Sequence, residues 1–457
     1  MKQLLILGAG HIARPCVRYL QQFDWLELTI AESSRDNLVR VAGDHPRTTA
    51  LNMAVPGDPA GFIAERRPDL VMNLLPAEYR GPVTAACLRA GANLVHPAYA
   101  GPDVLALEPQ VKEAKLTWLF ELGVDPGIDH MSAVRTIDAV HADGGRVDSF
   151  RSICGAIPSA QANTNPWGYK LSWAPDSLIG ASRRSARIQV DGLVQEWPDG
   201  TTYEHAFLEE VEGLGWFEVY ANADALPYLE SYGIPEARSI FRGTIRYPGW
   251  SETIVAMNQL GLFSQEPEPL EGRTLREFMG RRCGAGQPAE VEAACRARLG
   301  LKPVSAVYQR LAWLGLFEDR AIPAGCRCSR DLVRLLYGER LRYRPGERDL
   351  IVLKDEVVAS YPQSGRRKRH TSTLIDFGIP GGDSAIARTT GLPPAIAARL
   401  FLEGRIRATG LVLPTLPELY QPCLAELARE GICLKEATEE IGEDPNIHHH
   451  QHGGRNA

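Results

Sequence analysis

The chain has 457 residues, more than the ~100–200 of a typical single domain, so two or three domains are expected. Apolar residues make up 44% and charged residues 23%, close to the globular average, which excludes a mainly disordered or fibrous chain. A net charge of −6 offers no basic face for the phosphates of a nucleic-acid partner. Nine cysteines in a chain of this length do not suggest a disulfide scaffold and read as reduced core thiols. No apolar run approaches the ~18 residues of a membrane span. The opening Met1-Lys2-Gln3-Leu4-Leu5-Ile6-Leu7 lacks a secretory apolar core followed by a cleavage site. The expectation is a soluble cytoplasmic enzyme with a small-molecule partner.

Alternating strands and helices fill roughly the first 125 residues. Leu4-Leu5-Ile6-Leu7, ending in Gly8, is a short continuous apolar run, as a buried parallel strand requires. Ile12 to Leu20 reads as helix and Leu26 to Ile30 as a second strand. Further strands are expected at Leu70–Leu75, Asn93–Val95 and Leu116–Phe120, with a helix over Pro82–Arg89. This alternation predicts a doubly wound parallel sheet with its ligand at the carboxyl ends of the strands. From Val147 the texture changes to aromatic and β-branched segments, such as Ser185–Gln195 and Phe241–Tyr247, which suggest an antiparallel sheet. Gln265-Glu266-Pro267-Glu268-Pro269 marks a boundary. Beyond it Val304, Val307, Leu311 and Leu314 repeat at three and four, the stripe of an amphipathic helix. Leu350–Leu353 returns to strand; one helix is expected after Leu392-Pro393-Pro394 and another over Leu416–Glu430. Arg366-Arg367-Lys368-Arg369-His370 reads as a solvated hairpin turn, and the tail from His448 to Gly454 as polar and flexible. Cys326-Arg327-Cys328 has no second cysteine pair at zinc spacing, so no metal site is expected.

Gly8-Ala9-Gly10-His11-Ile12-Ala13 follows the first strand and opens a helix. Gly8 permits the tight turn, Gly10 lets the backbone approach a pyrophosphate, and Ala13 keeps helix and strand close. The diphosphate then lies on unpaired helix N–H groups. Glu32 closes the second strand, where a carboxylate takes the ribose hydroxyls of NAD and repels the 2′-phosphate of NADP. Ser33, Ser34 and Arg35 follow at once and could hold that phosphate, so NAD is the expected cofactor and NADP stays open.

Several strings together resemble the saccharopine dehydrogenase (L-glutamate-forming) family. They are Asn73-Leu74-Leu75-Pro76, Glu121 through Asp125-Pro126-Gly127-Ile128-Asp129-His130, and Cys154-Gly155-Ala156-Ile157-Pro158. Asn165 through Trp173, Arg242 through Tyr247, and Thr390 through Gly404 complete the set. Their order holds from residue 4 to about 433. The resemblance implies a Rossmann-type domain over 1–125, completed by about 385–440, and a mixed α/β substrate and dimerisation domain over 126–265 and 343–384. It further implies a helical lobe over 266–342, a flexible tail over 441–457 and a homodimer. The implied reaction is the NAD(P)-dependent conversion of saccharopine to L-glutamate and 2-aminoadipate 6-semialdehyde. Leu75, Pro76, Val124 and Pro126 are implied at the cofactor, and Ala98, Tyr99, Gly155 and Thr244 at the substrate. Two positions depart from the family pattern: Ala98 stands where a serine is usual, and Ala223 where an arginine contacts a substrate carboxylate. They leave open a related imine reductase or opine-type dehydrogenase with another amino-acid or polyamine substrate.

Imine chemistry asks the protein for orientation and a proton. Asp125, just past a nucleotide-domain strand, is a candidate, with a helix cap as its ordinary alternative. Asp129 reads as the cap itself and His130 as structural rather than a proton relay. Tyr99 can donate to the reacting nitrogen, or be an interface aromatic; Cys154 can touch substrate, or be a core thiol. Saccharopine carries three carboxylates, so Lys170, Arg242 and Arg246 are candidate cations, the two arginines sharing one face of a strand. Asp125, Cys154, Lys170 and Arg246 together argue against a non-catalytic dinucleotide sensor, which would need none of them.

Overall fold

The computed structural model describes residues 1–442, so the histidine-rich tail lies outside the described residues. These form two compact units: residues 1–145, 353–357 and 369–439, and residues 146–352, 358–368 and 440–442. No helix among the described residues is long and apolar enough to cross a membrane.

The first unit is built on a seven-stranded parallel sheet. Its order is Gly410–Val412, Thr117–Leu119, Leu94–Val95, Leu70–Asn73, Lys2–Leu7, Leu26–Glu32 and Thr48–Asn52. Order reverses beside Lys2–Leu7, which pairs with Leu26–Glu32 on one side and Leu70–Asn73 on the other. That switch point places the crevice for a ligand at the end of the first strand. Leu5, Leu7, Val71, Leu94, Trp118 and Phe120 form its core, the continuous apolar strands of a sheet covered on both faces. Strand Thr48–Asn52 was not expected, because only Thr48 and Leu51 are even half-buried and the run carries no apolar pattern. The helix expected to begin after Pro394 runs instead from Ala385 to Leu402 with both prolines inside. Thirteen of its residues are buried, and packing on the first helix outweighs the lost backbone bonds. The first compact unit continues past residue 125 to 145, because helix Ile128–Ala142 is tied to the loop before it by backbone bonds from Ile128 to Gly123 and Asp129 to Val124.

In the second unit the expected antiparallel sheet is mixed. Ser239–Arg246 pairs antiparallel with Gly215–Ala221 but parallel with Arg146–Pro158, and the hairpin Ala186–Val190/Leu193–Trp197 joins at Ile240. Helices from Leu275–Cys283 to Ser329–Arg340 share one core with this sheet's flank: Phe278, Leu311, Leu336 and Tyr337 pack with Trp167, Tyr169 and Trp250. The stripe of Val307, Leu311 and Leu314 is buried, but Val304 precedes the helix and is 85% exposed. Arg366–His370 is not a turn. It begins strand Arg366–Phe377, its charges matched by acids: Arg366 with Glu440, Arg367 with Asp148, Arg369 with Glu356 and Glu439.

Candidate active site

Gly8 has φ +95°, and a Cβ there would stand 3.0 Å from the Leu74 carbonyl oxygen, so only glycine makes this turn. Around Gly10 an added Cβ meets nothing within 4 Å, the open space a diphosphate needs. Helix Ala13–Leu20 begins after Ile12 with no side-chain cap; the Ala13 N–H turns back to Gly10 O at 3.3 Å, and the loop N–H groups before it face the open space, with His11 exposed beside them. At the far side of the loop a Cβ on Gly391 would lie 2.2 Å from the Ile12 oxygen, so helix Ala385–Leu402 closes directly on it. A dinucleotide diphosphate fits this cradle. Leu75 and Pro76 follow strand Leu70–Asn73 at the same sheet edge.

Glu32 closes strand Leu26–Glu32 beside the glycine loop. Its Oε2 accepts the Ala9 N–H at 2.7 Å and its Oε1 the Ser34 N–H at 2.7 Å, so it ties the glycine loop to its own strand. Burial acts to raise its carboxyl, but the bonds from Ser34, Ala9 and Ser33 prevail and hold it below the ordinary value. Arg35 and Ser33 are exposed, and the guanidinium of Arg40, which sequence reasoning passed over, lies 3.4 Å from the Ala9 and Gly10 carbonyl oxygens.

Beyond strand Thr117–Leu119 the chain makes a compact loop. Gly123 N–H reaches Pro126 O at 2.7 Å, and Gly127, at φ +145°, donates to Asp129. A Cβ on Gly127 would fall 2.0 Å from Gly123 O, so the Asp-Pro-Gly string is fixed by this fold-back. The fold-back buries Val124 and Pro126 and leaves Asp125 half-buried. Tyr99, on the neighbouring loop after Ala98, donates its hydroxyl to Asp125 Oδ1 at 2.7 Å. Asp125 makes no cap: the helix starts at Ile128 after Gly127. Asp129 is the second helical residue and binds Gly127 N–H from inside the helix rather than as its N-cap.

Two residues that sequence reasoning left without a role stand out. Glu121, buried at φ +60°, accepts the Ala100 N–H at 3.1 Å, and its other oxygen is 2.9 Å from His130 Nε2. His96 is buried with Nδ1 2.8 Å from the Asn73 carbonyl oxygen, and burial pushes its pKa down to about 4, so it is neutral. Neither has a signal in spacing, since a lone Glu or His after a strand is commonplace.

The second unit gathers four of the expected substrate residues on one sheet face. Thr244 stands opposite both Cys154 and Tyr220, and Arg242 and Arg246 lie two residues either side on the same strand, hence on the same face. Arg246 is buried, its guanidinium 4.9 Å from the Tyr169 ring centre and 5.5 Å from that of Trp250. Among the described residues its one hydrogen bond goes to the Ile245 oxygen at 2.7 Å, and its Nε has no partner there. Glu218, directly opposite, is turned to the N–H groups of Gly249 and Ser251. Among the described residues no carboxylate pairs with Arg246. Arg242 stacks on Tyr228 at 4.1 Å. Gly155 has a packing reason, since a Cβ there would lie 2.6 Å from Ile245 O. Lys170 departs from expectation: its buried ammonium is paired with Glu347 and donates to Thr164 Oγ1 at 2.9 Å. Beside Ala223, Asp224 is held by Arg187.

Comparison with known proteins places the chain in one family. The family model "Saccharopine dehydrogenase NADP binding domain" matches residues 4–119, and "Saccharopine dehydrogenase C-terminal domain" matches 123–432. The chain is 32% identical over 448 residues to saccharopine dehydrogenase [NADP(+), L-glutamate-forming] of Saccharomyces cerevisiae, covering 96% of this chain and 99% of that one. To bovine mitochondrial alpha-aminoadipic semialdehyde synthase it is 31% identical over 445 residues, 94% of this chain, and it spans 47% of that longer protein. The apo yeast saccharopine dehydrogenase structure superposes with a TM-score of 0.86 at 31% identity, covering 96% of this chain and all of that one. A homospermidine synthase from Legionella pneumophila, at 11% identity and TM-score 0.56, shares the fold.

Proposed function

The chain belongs to the saccharopine dehydrogenase family, and on that premise we propose that it converts saccharopine to L-glutamate and 2-aminoadipate 6-semialdehyde, a step of lysine metabolism. The observation that carries this reading is Arg246, a buried cation with no carboxylate partner among the described residues, beside Cys154, Thr244 and Arg242. A buried charge is costly unless paired, and a tricarboxylic substrate supplies the missing anion. The Gly8–Ala13 loop and Glu32 would hold the dinucleotide, which would supply the hydride acceptor for oxidation of the secondary amine. Tyr99, oriented by Asp125, is the group proposed to take and return the proton at the substrate nitrogen. Cys154 and Thr244 are proposed as substrate contacts, and Lys170 as support through Glu347. NAD(P)H formation with saccharopine, and its loss in Arg246→Gln, test the reading; normal KM in that variant would refute the role of Arg246.

Between the two cofactors, the Glu32 carboxylate at the second strand's end supports NAD. The yeast relative's name specifies NADP(+), and Arg35 and Arg40 nearby supply the charge that such a phosphate needs. Paired kcat/KM values decide between them. A homodimer is supported by apolar side chains left exposed on one face of the edge hairpin, Leu208 and Trp216. A cytoplasmic location is supported by seven of the nine cysteines being buried, with no disulfide among the described residues. A second reading, a related imine reductase for a substrate with one carboxylate fewer, is favoured by Ala223, since the nearby Arg187 is already engaged by Asp224.

A further inference from the structure

We infer that Glu121, braced by His130, is a positioning residue for the Tyr99–Asp125 pair. The inference rests on the proposed role of that pair, but its geometry stands by itself. Glu121 holds the segment around Tyr99 from both sides: its own N–H donates to Ala98 O at 3.2 Å, and its carboxylate accepts the Ala100 N–H at 3.1 Å. Tyr99 lies between these two anchors, and its hydroxyl is delivered to Asp125. The second carboxylate oxygen of Glu121 is 2.9 Å from His130, whose helix begins where the Asp125 loop ends. One side chain therefore links both halves of the pair, the loop that carries Tyr99 and the helix that anchors Asp125.

The backbone of Glu121 points the same way. At φ +60° a non-glycine residue is strained by roughly 1–2 kcal/mol. Strain of this kind persists where surrounding structure enforces it, and it clusters at functional sites. Glycine would adopt this conformation without strain, yet it could make neither the Ala100 nor the His130 contact. Burial of the carboxylate adds a cost that the Ala100 N–H offsets in part.

Glu121→Gly separates the side chain from the backbone. It relieves the strained backbone and deletes the brace, and an unchanged melting temperature checks that the fold is retained. Expected is a kcat for saccharopine lowered about tenfold to a hundredfold, with KM and dinucleotide affinity within about twofold. Glu121→Gln, which still accepts from Ala100, should recover part of the loss. A readout independent of turnover is the 19F resonance of 3-fluorotyrosine at position 99. Glu121→Gly should move it toward its position in Asp125→Asn, where the Tyr99 partner is altered. An unmoved resonance, or a kcat in Glu121→Gly within twofold of the parent, overturns the inference. Absence of saccharopine turnover in the unaltered protein would instead count against the proposed function, and the fluorine experiment would still decide the brace.

Discussion

The Tyr99 hydroxyl donates to Asp125 Oδ1 across 2.7 Å, joining two loops that are 26 residues apart in sequence. This bond gives Asp125 a partner that a helix-capping role would not require, since helix Ile128–Ala142 starts without it. Asp125→Asn should lower kcat by about two orders of magnitude, because Tyr99 loses the carboxylate that orients it for proton transfer. Cofactor affinity and melting temperature should stay close to the parent. Normal turnover with a lowered melting temperature would refute the assignment.

Glu32 carries a prediction about cofactor and another about pH. Glu32→Gln removes the charge opposite a 2′-phosphate, so the ratio of kcat/KM for NADH over NADPH should fall. A parent protein that uses NADPH equally well or better contradicts the role proposed for Glu32. The folded carboxyl titrates below its unfolded value, so its contribution to stability is full above the ordinary carboxyl pKa of ~4.3 and fades as pH falls through the folded value. Denaturant midpoints of parent and Glu32→Gln should therefore differ at neutral pH and converge in acid.

Lys170 tests where the substrate's cations end. Its ammonium is buried against Glu347 and Thr164. Lys170→Met should cost roughly 3 kcal/mol of stability, because it leaves the Glu347 charge uncompensated, and double replacement with Glu347→Gln should restore much of it. The KM for saccharopine should hardly move. A raised KM with unchanged stability would return Lys170 to the substrate.

Arg246 should behave in the opposite way. A charge-assisted hydrogen bond is worth about 1.5–3 kcal/mol, so Arg246→Gln should weaken saccharopine about tenfold to a hundredfold. Little stability should be lost, because among the described residues the guanidinium's one hydrogen bond goes to a neighbouring carbonyl. Unfolding of this variant with unchanged affinity in the folded fraction would show the arginine to be architectural.

The parts legible in the sequence were those where local chemistry and tertiary structure agree. The first strand, its glycine turn and Glu32 could be read because continuous apolar residues, a required positive φ at Gly8 and the strand-end carboxylate each have one structural meaning. The pairing of Arg242 with Arg246 on one face followed from the period of a strand alone. Arg366–His370 misled because its charges are neutralised by acids far along the chain, Asp148, Glu356, Glu439 and Glu440, which no local window contains. Pro393 and Pro394 misled because burial on nearly every side sustains a helix that propensity would end. Glu121 stayed hidden because its role lies in a backbone conformation and a contact with His130, neither of which leaves a mark in residue type. Lys170 sits in a family string, yet only the structure shows Glu347 beside it.

The most direct test of the account is to incubate the protein with saccharopine and either NAD+ or NADP+, follow reduced cofactor by absorbance, and quantify glutamate. The account predicts one glutamate released for each cofactor reduced, and release from Arg246→Gln slowed about tenfold to a hundredfold at low substrate and recovered when saccharopine is raised by the same factor. No reduction of either cofactor, or reduction only with a different secondary amine, would contradict it.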